Sequence, residues 1–309
     1  MRTGTGLLLA AVLALGVSAC GGGNDLKSGG SGSSSAGSGS KPAITVGSAN
    51  FPENVVLGEV YAGALSAKGF QVDKKLNVGS REAIFPALER GDIGVLPEYT
   101  GALLAYVSKG KSTAKDTAGQ VTELKKDLPA KLTVLQPSAA EDKDTVTCTK
   151  AVTDKYHLTS IADLAPVAKN LVLGGPPELA KREGFGLKGL KSVYGVVFKK
   201  FQPLDVAGPL TVAALKSGKV DCANLFSTQS AIPANGFVSL ADPKGLVESE
   251  AVLPLITKTA ATADATKVLD AVSSKLTTDN LKAMVKRVEV DKDDAATVAG
   301  DFLSQTGLK

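Results

Sequence analysis

The run Ile44–Gly101, ITVGSANFPENVVLGEVYAGALSAKGFQVDKKLNVGSREAIFPALERGDIGVLPEYTG, decides the fold. A β-type stretch, Ile44-Thr45-Val46, leads into a helical one from Pro52 to Lys68, where Leu57, Val60, Tyr61, Ala64 and Leu65 recur on one helix face. Proline suits a first helical turn because its missing N–H has no partner there to lose, and glycine suits the left-handed turn just past the end. Pro52 and Gly69 stand at those two places. Leu76-Asn77-Val78 then reads as a strand and Gly79-Ser80 as a turn. Arg81 to Arg90 follows as a second helix, with Ser80 as candidate cap and Pro86 as a bend, and Ile93 to Leu96 as a third strand. This βαβαβ order predicts a mostly parallel sheet with helices on both faces, which binds ligands at the carboxyl ends of its strands.

The end of that run returns later in the chain. Ala87-Leu88-Glu89-Arg90-Gly91-Asp92-Ile93-Gly94 recurs in form as Ala214-Leu215-Lys216-Ser217-Gly218-Lys219-Val220-Asp221, a helix end, a capping glycine and the strand it feeds, which points to two similar lobes. Further strands are expected at Val146 to Thr149, Leu171 to Leu173, Val196 to Phe201, Cys222 to Phe226 and Phe237 to Leu240. Ala263 to Leu276, Asn280 to Val288 and Asp291 to Ser304 read as helices that pack back on the first lobe.

Ahead of the folded part, Arg2 precedes an apolar run from Leu7 to Val17 that is too short to span a bilayer stably. It ends Val17-Ser18-Ala19-Cys20, which resembles the bacterial lipoprotein box, whose cysteine is lipidated. Residues 1–19 are therefore expected to be a signal peptide and Cys20 the lipidation site. Fifteen of the twenty residues after Cys20 are Gly or Ser, so residues 20–41 should form a flexible tether. Its mean reach is about 25 Å by the square-root rule for Gly-rich chains. The expected location is extracytoplasmic, lipid-anchored on the outer face of the cytoplasmic membrane. An ordinary signal peptide that happens to be cleaved before a cysteine is the alternative.

Composition narrows the function. Of 309 residues 43% are hydrophobic, enough for a sizeable core in about two domains. Lys and Arg number 35 against 31 acidic residues and form no basic block, so nucleic acid is not an expected partner. One histidine and three cysteines supply neither a zinc module nor a two-imidazole mechanism, and no metal or cofactor is expected. An enzyme would need Cys148 or Cys222 as nucleophile with His157 as its imidazole, and neither cysteine lies in a catalytic context. His157 reads as an exposed residue flanking a helix.

Several segments in order carry a family resemblance. They are Val46-Gly47-Ser48-Ala49-Asn50-Phe51-Pro52-Glu53 with Leu57-Gly58-Glu59, then Gly79-Ser80-Arg81-Glu82, then Pro97-Glu98-Tyr99-Thr100-Gly101. In the second half they are Gly175-Pro176-Pro177-Glu178, Val193-Tyr194-Gly195, Gly208-Pro209-Leu210-Thr211-Val212-Ala213-Ala214-Leu215 and Leu225-Phe226-Ser227-Thr228. Together, over nearly all of residues 43–257, the chain resembles the substrate-binding lipoproteins of ABC importers for glycine betaine and related quaternary amines, the osmoprotectants. The resemblance implies an α/β chain of the type II periplasmic-binding-protein fold, two α/β lobes joined by two crossover strands. Lobe I is drawn as 42–146 with 249–309 and lobe II as 147–248. The protein is then not an enzyme. It is a monomer that closes on a small molecule and delivers it to the transmembrane permease of an ABC importer.

The expected ligand contacts follow from the same segments. Lobe I contributes Ser48, Asn50, Phe51, Ser80, Arg81, Glu98, Tyr99 and Thr100, which end strands or open helices along one sheet edge, and lobe II contributes Pro176, Pro177, Glu178, Phe226, Ser227 and Thr228. Helix N-termini there suit the carboxylate of a zwitterion, and aromatic faces suit trimethylammonium, with Tyr99 the first candidate. Tyr61 reads as core. Glu59 and Glu82 read as serving the helix dipole or solvent, and Arg81 as binding an anion or facing water. Family cages place an aromatic after the first crossover, where this chain has Glu141-Asp142-Lys143-Asp144-Thr145. Only Tyr99 and Phe226 then match family ligand positions, so a polyol or an aromatic, phenolic compound stays open as an alternative ligand. Asp142 and Asp144 could attract a cation or a hydroxylated ligand, although a solvated hinge loop is the ordinary reading. In the implied topology the strand from Val146 runs beside Cys222 to Phe226, so Cys148 and Cys222 could form a disulfide in an exported protein, two buried free thiols being the alternative.

Overall fold

The computed structural model describes residues 41–309 except Glu248, so the expected signal peptide, the lipidated Cys20 and the tether lie outside the described residues. The chain begins in the expected order, with β2 longer and β3 further on than the sequence suggested: β1 (Ile44–Ala49), α1 (Pro52–Ala67), β2 (Val72–Gly79), α2 (Arg81–Arg90) and β3 (Val95–Tyr99), with β2, β1 and β3 parallel. α3 (Thr100–Ser108) and α4 (Thr117–Asp127) lead to β4 (Leu132–Val134). A second sheet follows, from β5 (Asp144–Cys148), α5 (Lys150–Tyr156), β6 (Val172–Gly175), α6 (Leu187–Tyr194), β7 (Lys200–Pro203), α7 (Pro209–Lys216), β8 (Cys222–Phe226), α8 (Ala231–Ala234) and β9 (Val238–Ser239). The chain then returns through β10 (Val252–Thr257) and ends in α9 (Ala263–Lys275), α10 (Thr278–Lys286) and α11 (Ala295–Gln305).

The two sheets have five strands each, in the orders β2-β1-β3-β10-β4 and β7-β6-β8-β5-β9. In each, three parallel strands are extended by antiparallel ones: β10 beside β3 in the first, β5 beside β8 in the second. The repeated sequence has a matching geometry. Gly91 after α2 and Gly218 after α7 both turn left-handed, at φ 84° and 69°, and hand the chain to β3 and β8. The strand expected at Val196 to Phe201 lies further on, at β7. β10 holds a central place despite Pro254, because Pro254 faces Pro97 of β3. An antiparallel ladder has facing pairs that exchange no hydrogen bond, and only there can two prolines meet without loss.

α1 is apolar on nearly every side because it is covered twice. Its Val56, Leu57, Val60, Tyr61 and Leu65 share one core with Leu269 and Val272 of α9, Leu281 and Val285 of α10, and Phe302 and Leu303 of α11. Close approach is built in by Gly58, where an added Cβ would stand 2.8 Å from Leu76. The C-terminal helices thus pack on the first sheet's lobe, as expected.

The chain passes between sheets twice, in residues 135–143 and 240–251, and the two linkers run against each other. Glu141 bridges Ala251, Asp142 N donates to Glu250 O at 3.2 Å, and Val252 N donates to Ala140 O at 2.9 Å. In the second sheet Cys148 and Cys222, directly opposite on β5 and β8, form a disulfide. Among the described residues no helix is long and apolar enough to cross a membrane.

Candidate functional site

β1 and β3 end at the same sheet edge, facing the end of β8 from the other lobe, and the paired linkers close one side. A cavity of about 50 Å³ remains there, lined from the first lobe by Asn50, Phe51, Asn54, Ser80, Arg81, Glu98 and Tyr99. Glu178, Arg182, Val206 and Phe226 line it from the second, and Asp142, Asp144 and Glu250 from the linkers and the start of β5. Phe51 lies 4.8 Å from Phe226 and 6.1 Å from Tyr99 by ring centroids, so three rings meet across the cleft. Tyr99 is held from behind, its hydroxyl donating to Glu53 Oε1 at 2.7 Å.

A proton can be located in this wall by counting donors. Thr228 Oγ1 lies within hydrogen-bond distance of Glu53 Oε2 and of Asp142 Oδ1, the latter at 3.0 Å, and Thr228 N also donates to Asp142 Oδ1 at 3.0 Å. A hydroxyl has one hydrogen, so it satisfies only one carboxylate, and the other must bring a hydrogen of its own. The consistent arrangement has Tyr99 donating to Glu53 and one proton held between Glu53 and Asp142, which meet across the Thr228 hydroxyl. Burial drives it: Glu53 is 3% and Asp142 4% exposed. Loss of water pushes Glu53 from 4.5 up to about 7, and Asp142, buried and facing Glu53, well above the usual carboxylate range.

Other charges are engaged within the wall. Arg81 grips Glu98 with two bonds of 2.8 and 2.7 Å, neither side chain more than 11% exposed. Arg182 reaches across the cleft to Glu82 at 3.1 Å and lies 3.8 Å from Glu178. Burial works against ionisation of Glu82, but Arg182 and Ser80 hold it down at about 2. Glu250, pushed up to about 8 by burial, accepts from Ala102 N at 2.9 Å. Asp144, also raised by burial, accepts from Asn224 Nδ2 at 2.7 Å.

The geometry sorts the sequence expectations. Asn50, Phe51, Ser80, Arg81, Glu98, Tyr99, Glu178 and Phe226 line the cavity. Ser48, Thr100, Pro176, Pro177, Ser227 and Thr228 stand behind that lining and support it. Ser48 Oγ accepts from Asn77 N, and Thr100 Oγ1 ties Ser249 O to Ala251 N, fixing the return linker to α3. Pro176 and Pro177 open the 3-10 turn that carries Glu178, and Ser227 binds Lys143 N and Asp142. Ser80 occupies the cap position of α2, but its hydroxyl donates to Glu82 instead of accepting from a backbone N–H.

Three readings need correction. Asp142 and Asp144 are not a solvated loop but cavity wall. Glu82 serves a contact between lobes through Arg182, and Arg81 neither faces water nor waits for an anion, because Glu98 occupies it. The anion seat at the start of α3 is likewise filled, by Glu250. Sequence reasoning missed Asn54, Arg182, Val206 and Glu250. Only Asn54 had a local signal, a polar residue in the first turn of an otherwise apolar helix; it donates to Pro97 O and accepts from Ala49 N, locking α1 between β1 and β3.

Two α/β lobes on two crossover strands, closed over a buried pocket at their strand ends, define the type II class of solute-binding protein. Residues 42–305 match the family described as the substrate-binding domain of ABC-type glycine betaine transport systems, and the chain belongs to that family. It is 27% identical over 279 residues to the glycine betaine-binding protein YehZ of Escherichia coli K12, covering 85% of this chain and 90% of that protein. It is 26% identical to the ergothioneine transport permease/ergothioneine binding protein EgtU of Helicobacter pylori, covering 83% of this chain but 46% of that protein. A solved structure titled as a glycine betaine/carnitine/choline ABC transporter shares the fold, with a TM-score of 0.65, 22% identity, and 87% and 99% of the two chains covered. Members of this family bind small solutes for ABC transporters and are not enzymes. Cys148 and Cys222, bonded to each other, offer no nucleophile, and His157 is exposed at the end of α5.

Proposed function

We propose that the protein is an extracytoplasmic lipoprotein, anchored through Cys20, that binds a small quaternary amine and delivers it to the permease of an ABC importer as a monomer. Glycine betaine, choline and their relatives are the candidate solutes. Lobe I is taken as 42–146 with 249–309, and lobe II as 147–248. The observation that carries this reading is the excess of acidic over basic side chains around the cavity. Five carboxyl groups, of Glu98, Asp142, Asp144, Glu178 and Glu250, line it against two guanidiniums, Arg81 and Arg182, around three aromatic rings. A cation over Tyr99, Phe51 or Phe226 gains from ring faces and from carboxylates alike. Glycine betaine binding by the E. coli relative agrees with this chemistry.

A second reading has its own support. Both guanidiniums are already paired and Glu250 fills the start of α3, so a betaine carboxylate meets no unengaged cation among the described lining residues. A polyol or a phenolic compound would instead use the carboxylates as acceptors. Thermal-shift screening followed by calorimetry, with choline, glycine betaine, polyols and phenolic compounds, decides between them. Stabilisation by quaternary amines alone supports the first reading; stabilisation by neutral hydroxylated compounds alone replaces it.

A further inference from the structure

Glu289 stands outside the cavity, on a π-helical turn of lobe I, Arg287–Asp291, that follows α10. Such turns are uncommon and recur at functional sites, and this one is anchored on its own lobe. Lys286 pairs with Asp291 at 2.8 Å, and Arg287 donates to Asp293 at 2.7 Å and to Asp301 at 2.8 Å. The Glu289 side chain takes no part in these pairs. It crosses to the second lobe, where its Oε1 accepts from Gln229 Nε2 at 3.0 Å. Gln229 is 5% exposed and uses its whole amide: Oε1 accepts from Phe226 N at 3.0 Å, and Nε2 also donates to Ala207 O at 2.6 Å. Phe226 supplies one ring of the cavity, and Val206, next to Ala207, supplies part of its wall. Ala207 sits at φ 48°, a left-handed conformation that a residue with a Cβ keeps only where its surroundings enforce it. One amide therefore joins two lobe II segments that reach the ligand space, and its remaining bond runs to lobe I.

We infer that Glu289 latches the closed lobes and that Gln229 is the positioning residue through which this latch fixes Phe226 and Val206 against the cavity. The bonds from Gln229 to Phe226 and Ala207 lie within lobe II and survive opening, whereas the bond to Glu289 exists only while the lobes are together. A ligand that touches both lobes favours closure, and closure then adds a contact that the ligand itself does not make. The latch works in this way whichever solute fills the cleft.

Calorimetry and stopped-flow binding of choline and of glycine betaine, with amide hydrogen exchange of the protein alone, test this. Glu289→Ala should raise the dissociation constant about five- to tenfold, the worth of one such hydrogen bond, and should do so through faster dissociation. Glu289→Gln keeps an acceptor and should retain most of the affinity. Gln229→Ala should cost more, because it also frees Phe226 and Ala207, and adding Glu289→Ala to it should change nothing further. In the protein alone, Glu289→Ala should speed exchange at Phe226 and its neighbours on the other lobe and leave α9 and α11 unchanged. Additive losses, or an unchanged dissociation constant in Glu289→Ala, overturn the latch. If neither choline nor glycine betaine binds, the quaternary-amine reading fails and exchange at Phe226 decides the latch by itself, an unchanged rate overturning it.

Discussion

Replacing Glu53 by glutamine should make the protein more stable in alkaline solution. The carboxyl accepts from Tyr99 on one oxygen and on the other shares the single Thr228 hydroxyl with Asp142, so a proton is held between the two acids. An amide reproduces that pattern, accepting at its oxygen and donating at its nitrogen, without needing a proton from solution. Burial raises Glu53 from 4.5 to about 7, so between those two pH values the folded protein holds a proton that the unfolded chain has released. Stability therefore falls as pH rises through this window, and the contribution is fully lost above the folded value. At about 1.4 kcal/mol per pH unit the loss is about 3 kcal/mol. Asp142 is coupled to Glu53 and is not counted separately, while Asp144 and Glu250 titrate in both proteins and drop out of the difference. Thermal denaturation followed by circular dichroism, at about pH 5 and about pH 8, measures it. For a chain of this size each kcal/mol moves the midpoint by about 2–4 °C, so Glu53→Gln should gain about 6–12 °C on wild type between the two conditions. Parallel curves for the two proteins across that range would show that no proton is held at Glu53.

Tyr99→Ala should weaken binding of a quaternary amine by about 10- to 30-fold, the worth of a desolvated cation–π contact, while Tyr99→Phe keeps the ring and loses less; calorimetry on both separates ring face from hydroxyl. Arg182→Gln should cost binding about 0.5–1 kcal/mol, since the pair with Glu82 is partly exposed and screened, and the loss should shrink in high salt. Reducing the Cys148–Cys222 bridge, which spans a separation of 74 residues, should lower stability by about 4 kcal/mol on the loop-entropy scale, read as a drop in denaturation midpoint on adding reductant.

What was legible in the sequence was local. α1 could be read from Pro52, its apolar spacing and Gly69 because every one of those signals acts within a few residues. The start of β8 was likewise marked by the capping Gly218 before it. β10 was harder, since a proline counts against a central strand until its partner Pro97 is known. The site divides along the same line. Phe51, Arg81 and Tyr99 stand at the ends of strands or the starts of helices, and a parallel sheet brings such positions to one edge. Whether a charge there is free depends on residues far along the chain. Nothing near Arg81 says that Glu98 will occupy it, and nothing near Glu250 says that the linker pairing will carry it to the start of α3.

The buried carboxylates also set a test that separates the two classes of ligand. Without a ligand, the closed cavity relieves its excess negative charge by holding protons, at Glu53 with Asp142 and at Glu250, which are raised to about 7, well above the usual range, and about 8. A bound cation supplies the same relief from the opposite direction: it favours the ionised carboxylates and lowers their pKa values. Proton and cation therefore compete. Affinity for choline should rise with pH through about 7 to 8, by up to about tenfold per pH unit for each proton displaced, and binding below that range should release protons. A neutral polyol makes no such exchange; it needs acceptors, and its affinity should follow pH weakly. Calorimetry in two buffers of different ionisation enthalpy counts the protons directly. Release of about one proton on binding choline near pH 6.5 is the expected result, and a heat identical in both buffers would mean that the carboxylates do not recognise the cation's charge.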